Sequence, residues 1–127
     1  MSQEPLMLRA LRGATTAHAN TASAMAEAVE ELLDALINDN ALEGSLVLSA
    51  TFSVTADLNA MFPASLARRR PGWDGVALMD CQQMQVEGDL PRCIRVMVMA
   101  WMPAERLLHQ PYLRQAARLR PDRSGHN

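Results

Sequence analysis

Residues 92–102, Arg-Cys-Ile-Arg-Val-Met-Val-Met-Ala-Trp-Met, form the longest β-like run in the chain. Successive side chains of a strand alternate between faces. Ile94 and Val96 therefore share one face, and Arg95 points to the other. A strand of this length needs partners for its backbone groups, and three further segments offer them. Residues 6–12 read as a first strand ended by Gly13. Residues 45–53, with Leu46, Val47, Leu48 and a Ser/Thr alternation, read as a second, and Val76 to Asp80 as a third.

One long helix goes with them. Met25, Val29, Leu32, Leu33, Leu36 and Ile37 recur at helical spacing, and Glu27, Glu30, Glu31 and Asp34 fill the opposite face. Asn20 or Thr21 offers an N-cap, so the helix spans about 21–39 and stops at Asn38-Asp39-Asn40. A short helix is expected over Ala64–Arg70, just after Pro63. A turn is expected at Val86-Glu87-Gly88-Asp89, and one or two helical turns over Pro103–His109. Tyr112 to Leu119 is ambiguous, and Arg120-Pro121-Asp122 opens a polar tail. The fold class is α+β: a single domain with a mixed sheet of about four or five strands and one long packed helix. At 127 residues, with no repeat or linker, the chain is one domain over 1–127 whose ends, 1–7 and 123–127, are expected to be flexible.

Composition narrows the chemistry. No apolar run approaches a membrane span, and the N-terminus lacks a signal-peptide stretch, so a soluble, cytoplasmic protein is expected. A net charge of −2 argues against nucleic acid as partner. All twelve basic residues are Arg, which excludes lysine imine chemistry. Residues 1–63 carry two Arg against eight acids (−6), and residues 64–127 ten Arg against six acids (+4). Cys81 and Cys93 have no C-x-x-C spacing and read as buried reduced thiols. His18, His109 and His126 are scattered and read as surface residues, the nine Met as core filler. No spacing suggests a metal or a Gly-x-Ser-x-Gly nucleophile.

What remains is arginine. Arg95 within an apolar strand either lies on a solvated face or points into a pocket that binds an anion, to which its planar fork is suited. Arg12 stands beside Gly13, Arg120 precedes a Pro, and Arg68-Arg69-Arg70 reads as a solvated face of the short helix. Several separate Arg-bearing elements point to a small polyanionic ligand.

Six segments carry a resemblance. Leu11-Arg12-Gly13-Ala14-Thr15-Thr16, Leu48-Ser49-Ala50-Thr51, Asp57-Leu58-Asn59-Ala60-Met61-Phe62-Pro63-Ala64, Gly72-Trp73, Cys93-Ile94-Arg95-Val96-Met97 and Leu119-Arg120-Pro121-Asp122 follow in order. Together, from about residue 8 to 122, they resemble the monofunctional chorismate mutases of the trimeric α/β-barrel class. The resemblance implies a homotrimer, a trimeric pseudo α/β barrel, with active sites at subunit interfaces. It implies the rearrangement of chorismate to prephenate, a pericyclic Claisen shift without cofactor or metal. Arg95 then matches the cation at the breaking ether oxygen, Arg12 a carboxylate-binding group and Tyr112 a hydrogen-bond donor. Phe62 and Ala64 match a pocket wall from the neighbouring subunit, with Arg68 beside it. Leu119 and Arg120 match a C-terminal segment that orders over the site, and Leu78 and Met79 join the substrate-binding positions.

The chain departs from the family pattern at three of these places. Ser65 stands where many members carry Lys, and Gln83 where Glu usually contacts the ring hydroxyl of the substrate. Asp80 stands where Cys is common, so the acid is expected to have moved from position 83 to Asp80; the alternative is that Asp80 is a strand-end polar residue and Gln83 a tolerated, slower substitute. The missing Glu keeps two alternatives in view: a non-catalytic trimeric binder of small carboxylates, and an enzyme acting on a relative of chorismate.

Overall fold

The computed structural model describes residues 4–120. His126, the 121–122 part of the tail motif and residues 123–127 lie outside the described residues. Strand β1 (Leu6–Thr16) is followed by helix α1 (Ala22–Asn40), strand β2 (Val47–Val54), the short helix α2 (Ala64–Arg68), strand β3 (Ala77–Gln82) and strand β4 (Cys93–Pro103). The long run at 93–103 is the organiser: β4 pairs antiparallel with β1 on one side and β2 on the other, and β3 joins β2 in parallel, giving the order β1-β4-β2-β3. The sheet is therefore mixed, with four strands among the described residues.

Alternation divides the sheet into two faces. Leu11, Ala50, Phe52, Ile94, Val96, Val98, Ala100 and Met102 form one face and pack against Met25, Val29, Leu32, Leu33 and Leu36 of α1. On the other face, β4 presents Arg95, Met97, Met99 and Trp101, and no described helix covers them. Arg95 lies opposite Ala14 of β1 and Ser53 of β2, two small residues that leave room beside its guanidinium.

Helix α1 begins where its cap chemistry predicts. Thr21 is the extended N-cap, and its Oγ1 accepts from Ala24 N at 3.1 Å. The helix ends one residue past the expected stop. Ala41 adopts the left-handed conformation (φ 50°), and Leu42 N donates back to Ile37 O at 3.0 Å. Asn40 is buried, and its side chain bridges Leu36 O and the backbone of His109. This pins the 104–110 segment against the end of α1.

Several expectations are corrected. β1 begins at Leu6, where the sequence places it, but it does not end at Gly13 and runs on to Thr16. Gly13 is needed there for contact: a Cβ would stand 3.0 Å from both Leu32 Cδ1 and Pro111 O. Residues 104–109 form a turn and an open stretch, not a helix, because their backbone is held from outside: Arg9 donates to Pro103 O and Arg106 O, and Asn40 grips His109. Residues 114–119 form a 3₁₀ turn. The short helix stops at Arg68, and Arg70 is no solvated cation: it bridges Glu30 (3.1 Å) and Asp34 (2.7 Å) of α1. Cys93 is buried but Cys81 is exposed, and His109 is half-buried. Met25 and Met102 fill the core, whereas Met7, Met79, Met84 and Met97 are exposed.

Candidate active site

The antiparallel register of β1 and β4 brings the first group together. Arg12 stands opposite Met97, one pair along from Ala14 and Arg95 on the same face. The chain returns to this place after the open stretch. Ala14 N donates to Pro111 O (3.0 Å), Leu113 N donates to Ala14 O (2.8 Å), and the intervening Tyr112 is set beside β1. Gln110 adds an acceptor for Arg12 N. The result is a cavity of about 250 Å³ lined by Arg12, Gly13, Thr51, Ser53, Arg95, Val96, Met97 and Tyr112. Arg120 stacks over the Tyr112 ring at 5.7 Å, which ties the C-terminal segment to the same place.

A second cavity, about 540 Å³, shares Ser53 and Arg95 with the first and continues past Gln83, Met84 and Asp89. Gln83 follows β3 directly, its N–H held by Val54 O at 2.9 Å. Its side-chain amide donates to Asp89 Oδ2 at 2.7 Å, and Asp89 Oδ1 lies 3.6 Å from the Arg95 guanidinium. Two polar atoms here are buried with no hydrogen-bond partner among the described residues: Gln83 Oε1, an acceptor, and Arg95 Nε, a donor.

The other expected residues gather elsewhere. Asp80 pairs in register with Phe52, so it lies on the helix-covered face, opposite to Arg95. Its carboxylate accepts from Ala64 N at 3.0 Å, at the start of α2, and feels the charge of Arg68. Burial pushes its pKa above the ordinary carboxylate value, against the opposing pull of the Ala64 hydrogen bond and Arg68. Phe62, Ala64, Ser65 and Arg68 belong to this second group, with Leu78 on the same face of β3. Ser65 Oγ donates to Phe62 O at 2.7 Å, and Phe62 is 73% exposed, an unusual state for a large aromatic side chain. Met79 points the other way, opposite Thr51 on the open face, and Leu119 ends the 3₁₀ turn. Within one chain the expected site is thus two separate groups.

Cys93, behind Arg95, is held protonated: burial raises its pKa more than the neighbouring Arg95 lowers it. Among the described residues no three His, Cys, Asp or Glu side chains cluster as a metal site would require. No described helix is long and apolar enough to cross a membrane.

The model of the family chorismate mutase type I matches residues 8–123. The chain belongs to the type I chorismate mutases. It is 37% identical over 121 residues to the chorismate mutase AroH of Bacillus subtilis, covering 94% of both chains. It is 41% identical over 120 residues to the AroH of Thermus thermophilus, covering 91% of this chain and 96% of the relative. The solved chorismate mutase of Clostridium thermocellum superposes with a TM-score of 0.77 at 38% identity, over 85% of this chain and 96% of that one. The family reading made from six sequence segments is therefore correct, and it assigns the chain to the isomerases.

Sequence reasoning picked out Arg12, Gln83, Arg95 and Tyr112, which the fold brings to one face. It missed Thr51, Ser53 and Asp89. The signal for Asp89 was present in the turn expected at 86–89, whose Asp89 N–H donates to Val86 O at 3.1 Å and which folds position 89 back onto position 83.

Proposed function

We propose that the chain is a cytoplasmic homotrimer, a trimeric pseudo α/β barrel, that converts chorismate to prephenate in sites shared between subunits. The observation that carries this reading is the grouping of Arg12, Arg95 and Tyr112 around one cavity on the open sheet face, in a chain of this family.

Chorismate is a flexible dianion, and its rearrangement requires the enolpyruvyl arm folded over the ring in a near-attack geometry. Arg12 and the Tyr112 hydroxyl are suited to hold carboxylate oxygens in that pose. Negative charge grows on the ether oxygen as the C–O bond breaks. A fixed cation there binds the transition state more tightly than the substrate and so accelerates the step. Arg95 fits that role, since its guanidinium is a fixed positive charge that lines both cavities. Gln83 Oε1, a buried acceptor in the adjoining cavity, suits the ring hydroxyl.

Two observations support a shared site. Phe62 and Arg68 of the α2 group are exposed, Phe62 at 73%, and so are free to meet a neighbouring subunit. The open face also exposes Leu8, Met79, Met97 and Trp101, an apolar surface of the kind that marks an interface. In the proposed trimer, Phe62, Ala64, Ser65, Arg68, Leu78 and Asp80 of one subunit close the cavity of the next, and Met79, Leu119 and Arg120 complete its rim.

Loss of the chorismate ultraviolet absorbance, with prephenate identified by chromatography, tests the activity and separates it from simple carboxylate binding or reaction with a relative of chorismate. Sharing is tested by mixing Arg95→Ala with Arg68→Ala after dissociation and reassembly. Mixed trimers should regain activity that neither parent has. No prephenate, or full activity in a species shown by light scattering to be monomeric, would refute the reading.

A further inference from the structure

We propose that Asp89 is a positioning residue for the reaction: it fixes the amide of Gln83 so that Oε1 faces the substrate, and it supplies the carboxylate that position 83 lacks. This rests on the mutase reading and assigns its acidic group to Asp89, where the sequence pointed to Asp80.

The hydrogen-bond inventory sets the direction. An ionised carboxylate can only accept, so the Gln83 atom 2.7 Å from Asp89 Oδ2 must be its NH₂ group. With the NH₂ committed, the other end of the amide is the carbonyl oxygen. That oxygen is buried without a partner among the described residues, and Gln83 lines a cavity together with Arg95. Gln83 is thereby locked as an acceptor, the role a Glu would fill at that position.

Asp89 is itself held. Its Oδ1 accepts from Leu90 N at 2.8 Å and lies 3.6 Å from the Arg95 guanidinium, while its N–H closes the turn onto Val86 O. The turn contains Gly88 at φ +82°, a conformation that favours glycine. One side chain thus touches both the acceptor and the cation of the candidate site, and it brings a negative charge near the ring on which positive charge develops. Asp80 does neither within the chain, since its carboxylate is turned to Ala64 N on the other face.

The test is a reciprocal swap, read as kcat and KM for chorismate with folding checked by thermal melting. Asp89→Asn keeps the shape of the side chain, but its amide group can donate, so Gln83 is free to flip and present NH₂ to the substrate. A loss of kcat of about tenfold is expected, the equivalent of one productive hydrogen bond, with KM moving less. Gln83→Glu alone should also lose activity, because it sets two carboxylates against each other. The double variant Gln83→Glu/Asp89→Asn restores one acceptor facing the substrate, one donor facing its neighbour and the original charge. It should recover kcat to within about threefold of the parent. The same comparison on Asp89→Ala covers disturbance of the loop by Asn.

Three outcomes would overturn the proposal: Asp89→Asn within twofold of the parent, additive losses in the double variant, or rescue by Gln83→Glu of Asp80→Asn in place of Asp89→Asn. Each applies to a parent that makes prephenate. A parent that makes none would instead refute the mutase reading.

Discussion

Asn40 grips the backbone of His109 at both of its polar groups: the Asn40 amide donates to His109 O at 2.9 Å, and Asn40 Oδ1 accepts from His109 N at 2.8 Å. The same amide reaches Leu36 O at 2.9 Å, so one buried side chain joins the end of α1 to the segment that leads to Tyr112. Asn40→Ala leaves several of these groups buried without partners. It should lower unfolding stability by roughly 2–3 kcal/mol, measured by denaturant titration at fixed protein concentration. Because Tyr112 then loses its fixed approach, KM for chorismate should rise as well.

Arg95 is expected to carry the largest effect on the chemical step. Removal of one preorganised donor facing a developing oxyanion typically costs about 10²–10³ in rate. Arg95→Ala should lower kcat by that order while the fold persists, since the side chain lies on the open face. Arg95→Lys should retain a little more. Steady-state kinetics decides the matter: a kcat within a few-fold of the parent would remove Arg95 from the ether oxygen.

Asp80 gives a pH signature. Burial disfavours its ionised form and raises its folded pKa above 3.8, so the native carboxyl keeps its proton to higher pH than the unfolded one. Between 3.8 and the raised value the native state binds more protons than the unfolded state, and stability falls as pH rises through this window. Asp80→Asn keeps an oxygen to accept from Ala64 N and removes the charge. Its melting temperature should exceed that of the parent at pH 7, and the gap should close as pH is lowered toward 3.8. A gap that widens on acidification would reverse the sign of the shift.

Ala41 ends α1 with φ 50°, where a Cβ crowds the carbonyl and glycine does not. Ala41→Gly should therefore stabilise the chain by about 1 kcal/mol, less the extra entropy of glycine in the unfolded state. Thermal melts of the two proteins at equal concentration test this.

The long elements were legible because their signals are periodic. The apolar spacing from Met25 to Ile37 and the alternation around Arg95 survive in any compact arrangement of the chain. The end of β1 was not, because Gly13 reads locally as a stop, whereas its use is a close approach to Leu32 and Pro111, which are distant in sequence. The stretch 104–109 departs from expectation for a similar reason: its local sequence suggests helix, but Arg9 and Asn40 bond its backbone from elsewhere. Alternation within a strand shows that Met97 lies opposite to Val96 but not which face a helix covers, so the expectation of Met97 as core filler fails and the side chain is exposed. Arg12, Arg95 and Tyr112 were legible as site candidates through the family motifs. Asp89 was legible only as the end of the turn expected at 86–89, because its contact with Gln83 exists only once that turn has folded back.

The one irregularity in the pairing of β2 with β4 falls between Val47 and Ser49, at the end of the sheet away from Arg95. From Ser49 to Val54 the ladder is regular, and β1 pairs with β4 without a shift over its whole length. Inserting or deleting one residue in β4 ahead of Arg95 would exchange its face with that of Val96 and bury a cation under α1, and the same change in β1 or β2 would turn that strand's own residues, Arg12 among them, to the wrong face. Lineages of such a chain are thus free to vary in length near Leu48, at the loops and at the ends. Between Ser49 and Val54, and along β1 and β4, they can change only by substitution.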